Sequence, residues 1–296
     1  MIKTSVLFFF FMYLGQINAQ NIEIWTKKDS LIFWADVMLL TTDSKFRTKA
    51  AEEFKTLTLS LINEPNFNEY VTALNSRVAF IEPEDRAFQL LSWQYESASG
   101  NWIYDGLLRF PSGKIQHLNF EKRDLTKLKY ETIKPEKWYG AMYYYLVPIA
   151  ANFYTVFGFA QNEQGIKFRI IETLFIENEQ VVFGKEVFKI KESNQSFDYR
   201  ARIVIPYSQE STCALTFDGE KNQIVHDYIT AISGDETAEG KMMLVADGTM
   251  DAYEFINNQW VFIGKLENQI LDEAPREKPV LGGDKDILGR PKKGKK

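Results

Sequence analysis

The chain has 296 residues, with 35 basic and 40 acidic side chains, a net charge of −5 and a single cysteine, Cys213. The acidic balance argues against nucleic acid as a partner, and one cysteine excludes an intramolecular disulfide, so packing alone must hold the fold. Aromatic residues make up 15% of the sequence, Phe and Tyr above all, which favours strands and argues against an all-helical protein.

Lys3, the apolar run from Val6 to Leu14 and the Ile17-Asn18-Ala19 ending form the pattern of a secretory signal peptide over residues 1–19. The run is too short to anchor the chain across a bilayer. No cysteine stands at the end of the run, where Gly15 to Gln20 follow, so the expectation is a cleaved leader, not a lipoprotein signal. The mature chain then starts at Gln20 and keeps roughly 277 residues, enough to bury a sizeable core. The expected product is soluble, has no membrane span and resides in the periplasm or outside the cell.

Between Asn21 and Asn63, Leu31, Trp34, Ala35, Val37 and Met38 recur at helical spacing, as do Phe46, Ala50, Phe54, Leu57 and Leu61. Asp43 and Ser44 separate the two stripes and Asn63-Glu64-Pro65 ends the second, which predicts a helical hairpin. From Val78 the period changes to two. Phe88 to Glu96 and Trp102 to Phe110 read as a β-hairpin around a four-residue loop, Ser97 to Gly100. With Tyr95 opposite Trp102 and Trp93 opposite Tyr104, these four aromatics form a ladder on one face, a platform for sugar rings if exposed and core if buried. Leu91 and Leu108 on the same face favour the core.

Glu121 to Lys137 is charged and weakly periodic, either a surface excursion or a junction, so residues 20–137 and 138–266 are expected as two parts or as one domain. Strands follow at Ala141 to Val147, Phe153 to Ala160, Lys167 to Ile176, Gln180 to Ile190, Tyr199 to Pro206, Ser211 to Phe217 and Gln223 to Thr230. Their short connections imply antiparallel neighbours. Asp247-Gly248 and Asn257-Asn258 predict two further turns, which would put Met242, Leu244, Tyr253, Phe255, Trp260 and Phe262 on one core face. Residues 267–296 read as a flexible tail, basic at its end.

Chemistry is sparse. A four-residue loop at Asp218 to Lys221, or a turn centred on Gly219-Glu220, would set Cys213 opposite His226, either a thiolate–imidazole dyad or a buried, inert pair. Glu82, Glu84, Asp85, Glu96 and Asp105 supply carboxylates for a glycosidase-type pair near the aromatic hairpin. Asp247 to Asp251 has the start of a calcium loop without its later oxygen ligands. No phosphate loop, dinucleotide fingerprint or serine elbow is present. No metal and no cofactor are expected.

Through Ala87 to Trp93, Glu177 to Lys189 and Asp247 to Phe255, the chain resembles a group of exported Bacteroidota proteins with no known activity. The resemblance implies an N-terminal helical portion followed by many strands, and it assigns no site residue. The fold expected is α+β, a helical hairpin packed on an extensive antiparallel meander or partly closed barrel. The function expected is a non-enzymatic binding or structural module for an envelope protein or a glycan. The alternative is a secreted hydrolase.

Overall fold

The computed structural model describes residues 26–191, 196–233 and 242–266. The expected leader and tail lie outside the described residues. Helix α1 (Lys27–Leu40) starts on a capping box in which Thr26 Oγ1 accepts the Asp29 N–H and the Asp29 carboxylate accepts the Thr26 N–H. Helix α2 (Ser44–Leu61) is capped by Asp43, which accepts from the Lys45 and Phe46 amides. A third helix that the periodicity did not signal, α3 (Phe67–Leu74), follows Pro65 and buries Phe67, Val71 and Leu74. Phe46, expected in the core, is exposed beside the α2 cap, and Trp34 is half-buried.

Three open sheets carry the rest. The first has four strands in the order β1 (Ala79–Ile81), β2 (Gln89–Glu96), β3 (Trp102–Arg109), β4 (Ile115–Leu118). The second contains β5 (Met142–Ala150), β6 (Phe153–Gln161), β7 (Ile166–Glu177), β8 (Gln180–Phe183) and β11 (Arg202–Ser208). The third has β9 (Phe188–Lys191), β10 (Phe197–Arg200), β12 (Leu215–Asp218), β13 (Gln223–Ser233), β14 (Met242–Ile256) and β15 (Gln259–Leu266). Its β9–β15 pair is parallel and the other pairs in all three sheets are antiparallel. The α+β class therefore stands, while the sheets stack in layers instead of closing into a barrel.

Strand alternation builds that stack. Leu91, Trp93 and Leu107 point from the first sheet to the helices and pack with Phe54 and Leu31. Leu90, Tyr104, Leu108 and Leu118 point the other way, onto Tyr143, Tyr154, Ile170 and Leu174 of the second sheet. The far side of the second sheet, with Phe157, Ile171 and Ile203, meets Phe188, Ile224, Tyr253 and Trp260 of the third. Leu125, Leu128, Ile133 and Trp138 of the charged connecting segment are buried in the core between the first two sheets. That core draws on residues from both sides of Lys137.

Several registers differ from expectation. The Gln180 to Ile190 segment breaks at Gly184 (φ +78°) into β8 and β9, and Tyr199 to Pro206 divides into β10 and β11. Asp247-Gly248 does not reverse the chain, because β14 runs straight through it and pairs with β13 on both sides. Asp247, Gly248 and Thr249 face only Tyr228 there, forming a bulge in which Asp247 accepts the Thr249 amide and hydroxyl and Gly248 supplies φ +87°. Met242 is exposed and Leu244 half-exposed, and neither joins the core cluster that holds Tyr253 and Trp260. Asn257-Asn258 does make the two-residue turn, with φ +50° and +62° and Ile256 opposite Gln259. Tyr253, Phe255, Trp260 and Phe262 share one core face as expected.

Candidate functional site

The aromatic ladder is split by its turn. Ser97 N–H donates to the Asn101 carbonyl and Gly100 adopts φ +76°, so the loop has three residues, Ala98 to Gly100, instead of four. Glu96 then faces Trp102 and Trp93 faces Asp105, a one-residue slip that moves the two strands' aromatics to opposite faces. Trp93 is buried under α2 in an edge-to-face pair with Phe54 at 5.1 Å, and Tyr95 is half-buried beside it. Tyr104 is buried between the sheets and Trp102 remains half-exposed on that side. The four residues do not form one platform.

The thiol–imidazole pair also separates. The β12–β13 register is Leu215 opposite His226, two residues along from the expected partner Cys213, because the loop is Gly219 to Asn222 with Asn222 at φ +52°. Cys213 lies buried in the core between the second and third sheets. Burial, with Asp227 adding to it, pushes its thiol up to about 11, away from nucleophilic activation. His226 stacks on Tyr253 at 5.9 Å, and its Nδ1 sits 2.8 Å from the Asp227 carbonyl. Its Nε2 meets no hydrogen-bond partner among the described residues. Burial pulls the imidazole below its ordinary value.

The candidate carboxylates disperse in the same way. Glu82 accepts from Gln89, Asp85 from Tyr154, and Glu96 pairs with Arg47. Glu84 is exposed on the connection after β1. Asp105 meets Lys55 at 2.8 Å on the helix side of the first sheet. Among the described residues, no group of three or more His, Cys, Asp or Glu side chains is arranged to hold a metal ion.

A cleft of about 500 Å³ opens between the start of β3 and the β6–β7 turn, within the size range of small-ligand sites. Trp102, Tyr104 and Phe120 form its apolar wall, with Tyr139 and Gly140 deeper in. The opposite rim is the Gln161 to Gln164 turn. That turn repeats the Ser97–Asn101 geometry: Asn162 N–H donates to the Ile166 carbonyl and Gly165 adopts φ +75°. Asn162 Oδ1 accepts the amides of Gln164 and Ile166, fixing the rim. The Tyr104 hydroxyl ties the two walls together, donating to the Gln161 carbonyl at 3.1 Å and accepting the Gln161 amide at 2.7 Å. Gly140 (φ +87°) lets the chain pass this ring, since a Cβ there would lie 2.5 Å from Tyr104. A second hollow of about 290 Å³ adjoins the cleft and shares Trp102, Gln161, Asn162 and Glu163 with it.

Lys122 bridges the cleft to Glu163 at 2.6 Å and to Asn101 at 2.8 Å, and Arg123 pairs outward with Glu131 at 2.5 Å. Asp124 and Glu163, the two carboxylates on the cleft, are both held below the ordinary carboxylate range. Hydrogen bonds from Thr126 and Lys122 respectively are the leading causes. Neither is set up as a proton donor.

Beneath the cleft lies a buried polar cluster that sequence reasoning missed. Glu172 and Arg202 pair across β7 and β11, fully buried, with Arg202 Nε 3.1 Å from Glu172 Oε2. Arg202 Nη2 stands 3.1 Å from the same oxygen without hydrogen-bond geometry, and Nη1 donates to the Leu128 carbonyl. Tyr139 and Tyr143 both donate to Glu172 Oε1, and Trp138 Nε1 donates to Tyr143. Burial first and the Glu172 charge second raise both phenols well above their ordinary value. Gly184 closes the cluster, because a Cβ there would collide with Arg202. The legible signal was a charged residue on a face otherwise apolar, Glu172 in alternation with Phe168, Ile170 and Leu174, and Arg202 before the apolar run Ile203-Val204-Ile205.

Compared with known proteins, the chain matches no family model, no curated protein and no solved structure. Among the described residues, no helix is long and apolar enough to cross a membrane.

Proposed function

We propose that this is an exported, non-enzymatic binding module that takes a small polar ligand in the cleft between β3 and the β6–β7 turn. The observation that carries the proposal is the cleft itself, an aromatic wall facing a polar rim, with both its carboxylates held ionised. Binding needs shape and matched polar groups, which this lining supplies. Hydrolysis needs a carboxyl poised to donate a proton or an activated nucleophile, and Asp124, Glu163 and Cys213 are tuned the other way. Export is supported by the leader pattern over residues 1–19, and membership among exported Bacteroidota proteins belongs to the same proposal.

The test starts from protein recovered from a periplasmic fraction and screens saccharides, amino acids and nucleotides by thermal shift. A ligand at a hundred times its Kd stabilises by about 2.7 kcal/mol. One class is expected to raise the Tm of the wild type and not that of Trp102→Ala. Stabilisation that survives Trp102→Ala, or none from any class, removes the cleft as the binding site. Recovery of the protein solely from the cytosol removes export.

A further inference from the structure

We infer that the ligand is a neutral oligosaccharide whose chain runs from the cleft into the adjoining hollow and stacks one ring on Trp102. The inference rests on the reading of the cleft as a binding site and narrows what enters it. Charge decides first. The lining of the two cavities carries three cations, Lys122, Arg123 and Lys167, and three anions, Glu96, Asp124 and Glu163. Each is already engaged. Lys122 pairs with Glu163, Arg123 with Glu131, Asp124 with Lys127 and Glu96 with Arg47, while Lys167 donates to the Gln209 carbonyl. Three cations against three anions, each already engaged, leave the lining with no net charge and no unpaired ion to draw a charged ligand.

What remains unspent is neutral. The side-chain amides of Gln161 and Gln209 and the indole N–H of Trp102 have no hydrogen-bond partner among the described residues. Amides present a donor and an acceptor together, the pattern that matches hydroxyl groups. Trp102, half-buried by its packing on the inter-sheet core, is common to both cavities. An indole fixed in this way offers a flat apolar face with a polar edge, suited to the C–H face of a pyranose flanked by its hydroxyls. Two cavities meeting at one aromatic fit a chain of rings better than a single sugar.

The experiment is calorimetric titration of the full chain with hexasaccharides of glucose (β-1,4 and β-1,3), mannose and N-acetylglucosamine, against oligogalacturonate as the anionic control. At least one neutral hexasaccharide is expected to bind, more tightly than its trisaccharide. Trp102→Ala is expected to weaken it by about tenfold, the scale of one lost aromatic stacking partner, while Trp102→Phe restores part of the loss. Circular dichroism of both variants checks the fold. No binding by any of the four neutral hexasaccharides, or binding indifferent to Trp102, overturns the inference. Binding of oligogalacturonate or of a non-sugar with full Trp102 dependence also overturns it, but leaves the cleft standing as the binding site.

Discussion

Tyr139 separates two polar regions that obey opposite rules. Its ring borders the cleft, and its hydroxyl donates inward to Glu172. On the inner side, one glutamate, one arginine and two tyrosines are directed at one another within a core that admits no water-sized exposure, Glu172 and Arg202 being 0% exposed. On the outer side the charges are paired too, yet they sit in solvent, and amides and an indole stay uncommitted. An unmatched buried charge costs several kcal/mol of stability, whereas a rim charge is screened whether or not it is matched. The inner cluster therefore fixes where the second sheet stands, and the outer cleft is free to bind.

The comparison is broken most strongly from the inside. Glu172→Gln leaves Arg202 uncompensated, and Arg202→Met leaves Glu172 so, each expected to cost about 3–5 kcal/mol in denaturant unfolding. The double variant Glu172→Gln/Arg202→Met is expected to recover part of that loss, since no charge is then stranded. Additive losses would show that the pair is not coupled. Gly140→Ala probes the boundary between the regions. A methyl 2.5 Å from the Tyr104 ring on a backbone at φ +87° is expected to cost roughly 1–3 kcal/mol for the overpacking and about 1–2 kcal/mol for the left-handed conformation. Stability unchanged within error would mean that Tyr104 is not wedged between the walls as described.

Local chemistry was legible in the sequence where one signal had one meaning. Asp43 before a three-to-four spaced stripe gave a capped helix, and two adjacent asparagines between alternating strands gave a two-residue turn. Signals with two structural solutions misled. Asp247-Gly248 needs positive φ in a hairpin turn and in a bulge alike, and only the β13 partner strand decides between them. Gly100 closes a three-residue loop as readily as it ends a four-residue one, and the choice moves Trp93 and Trp102 to opposite faces of the first sheet. The same loop recurs at Gly113 and Gly165, where the Phe110 amide donates to Lys114 and the Asn162 amide to Ile166. The cleft was only partly legible, through Trp102. Its other wall is some sixty residues away in sequence, and no local pattern brings Gln161 to Tyr104.

The mildest intervention falls on the outer side. Lys122 and Glu163 meet at 2.6 Å with side chains 58% and 33% exposed, so solvent screens their attraction and both pay entropy to hold one geometry. Removing the pair in a double-mutant cycle, Lys122→Ala with Glu163→Ala, is expected to reveal a coupling of roughly 0.2–1 kcal/mol at low ionic strength, fading in 1 M salt as the Debye length shrinks to about 3 Å. The pH dependence has a definite sign. Glu163 is held below its ordinary value chiefly by the Lys122 hydrogen bond. Its contribution is therefore complete above the unfolded carboxylate's pKa and is lost as pH falls through the lower folded value. Lys122→Ala should flatten that acid limb and leave the Glu172 cluster untouched. If the coupling instead approached the loss seen for Glu172 and Arg202 and ignored salt, the cleft would be as dry as the interior behind Tyr139, and its charges could not be counted as neutralised rim groups that leave the amides and Trp102 to select the ligand.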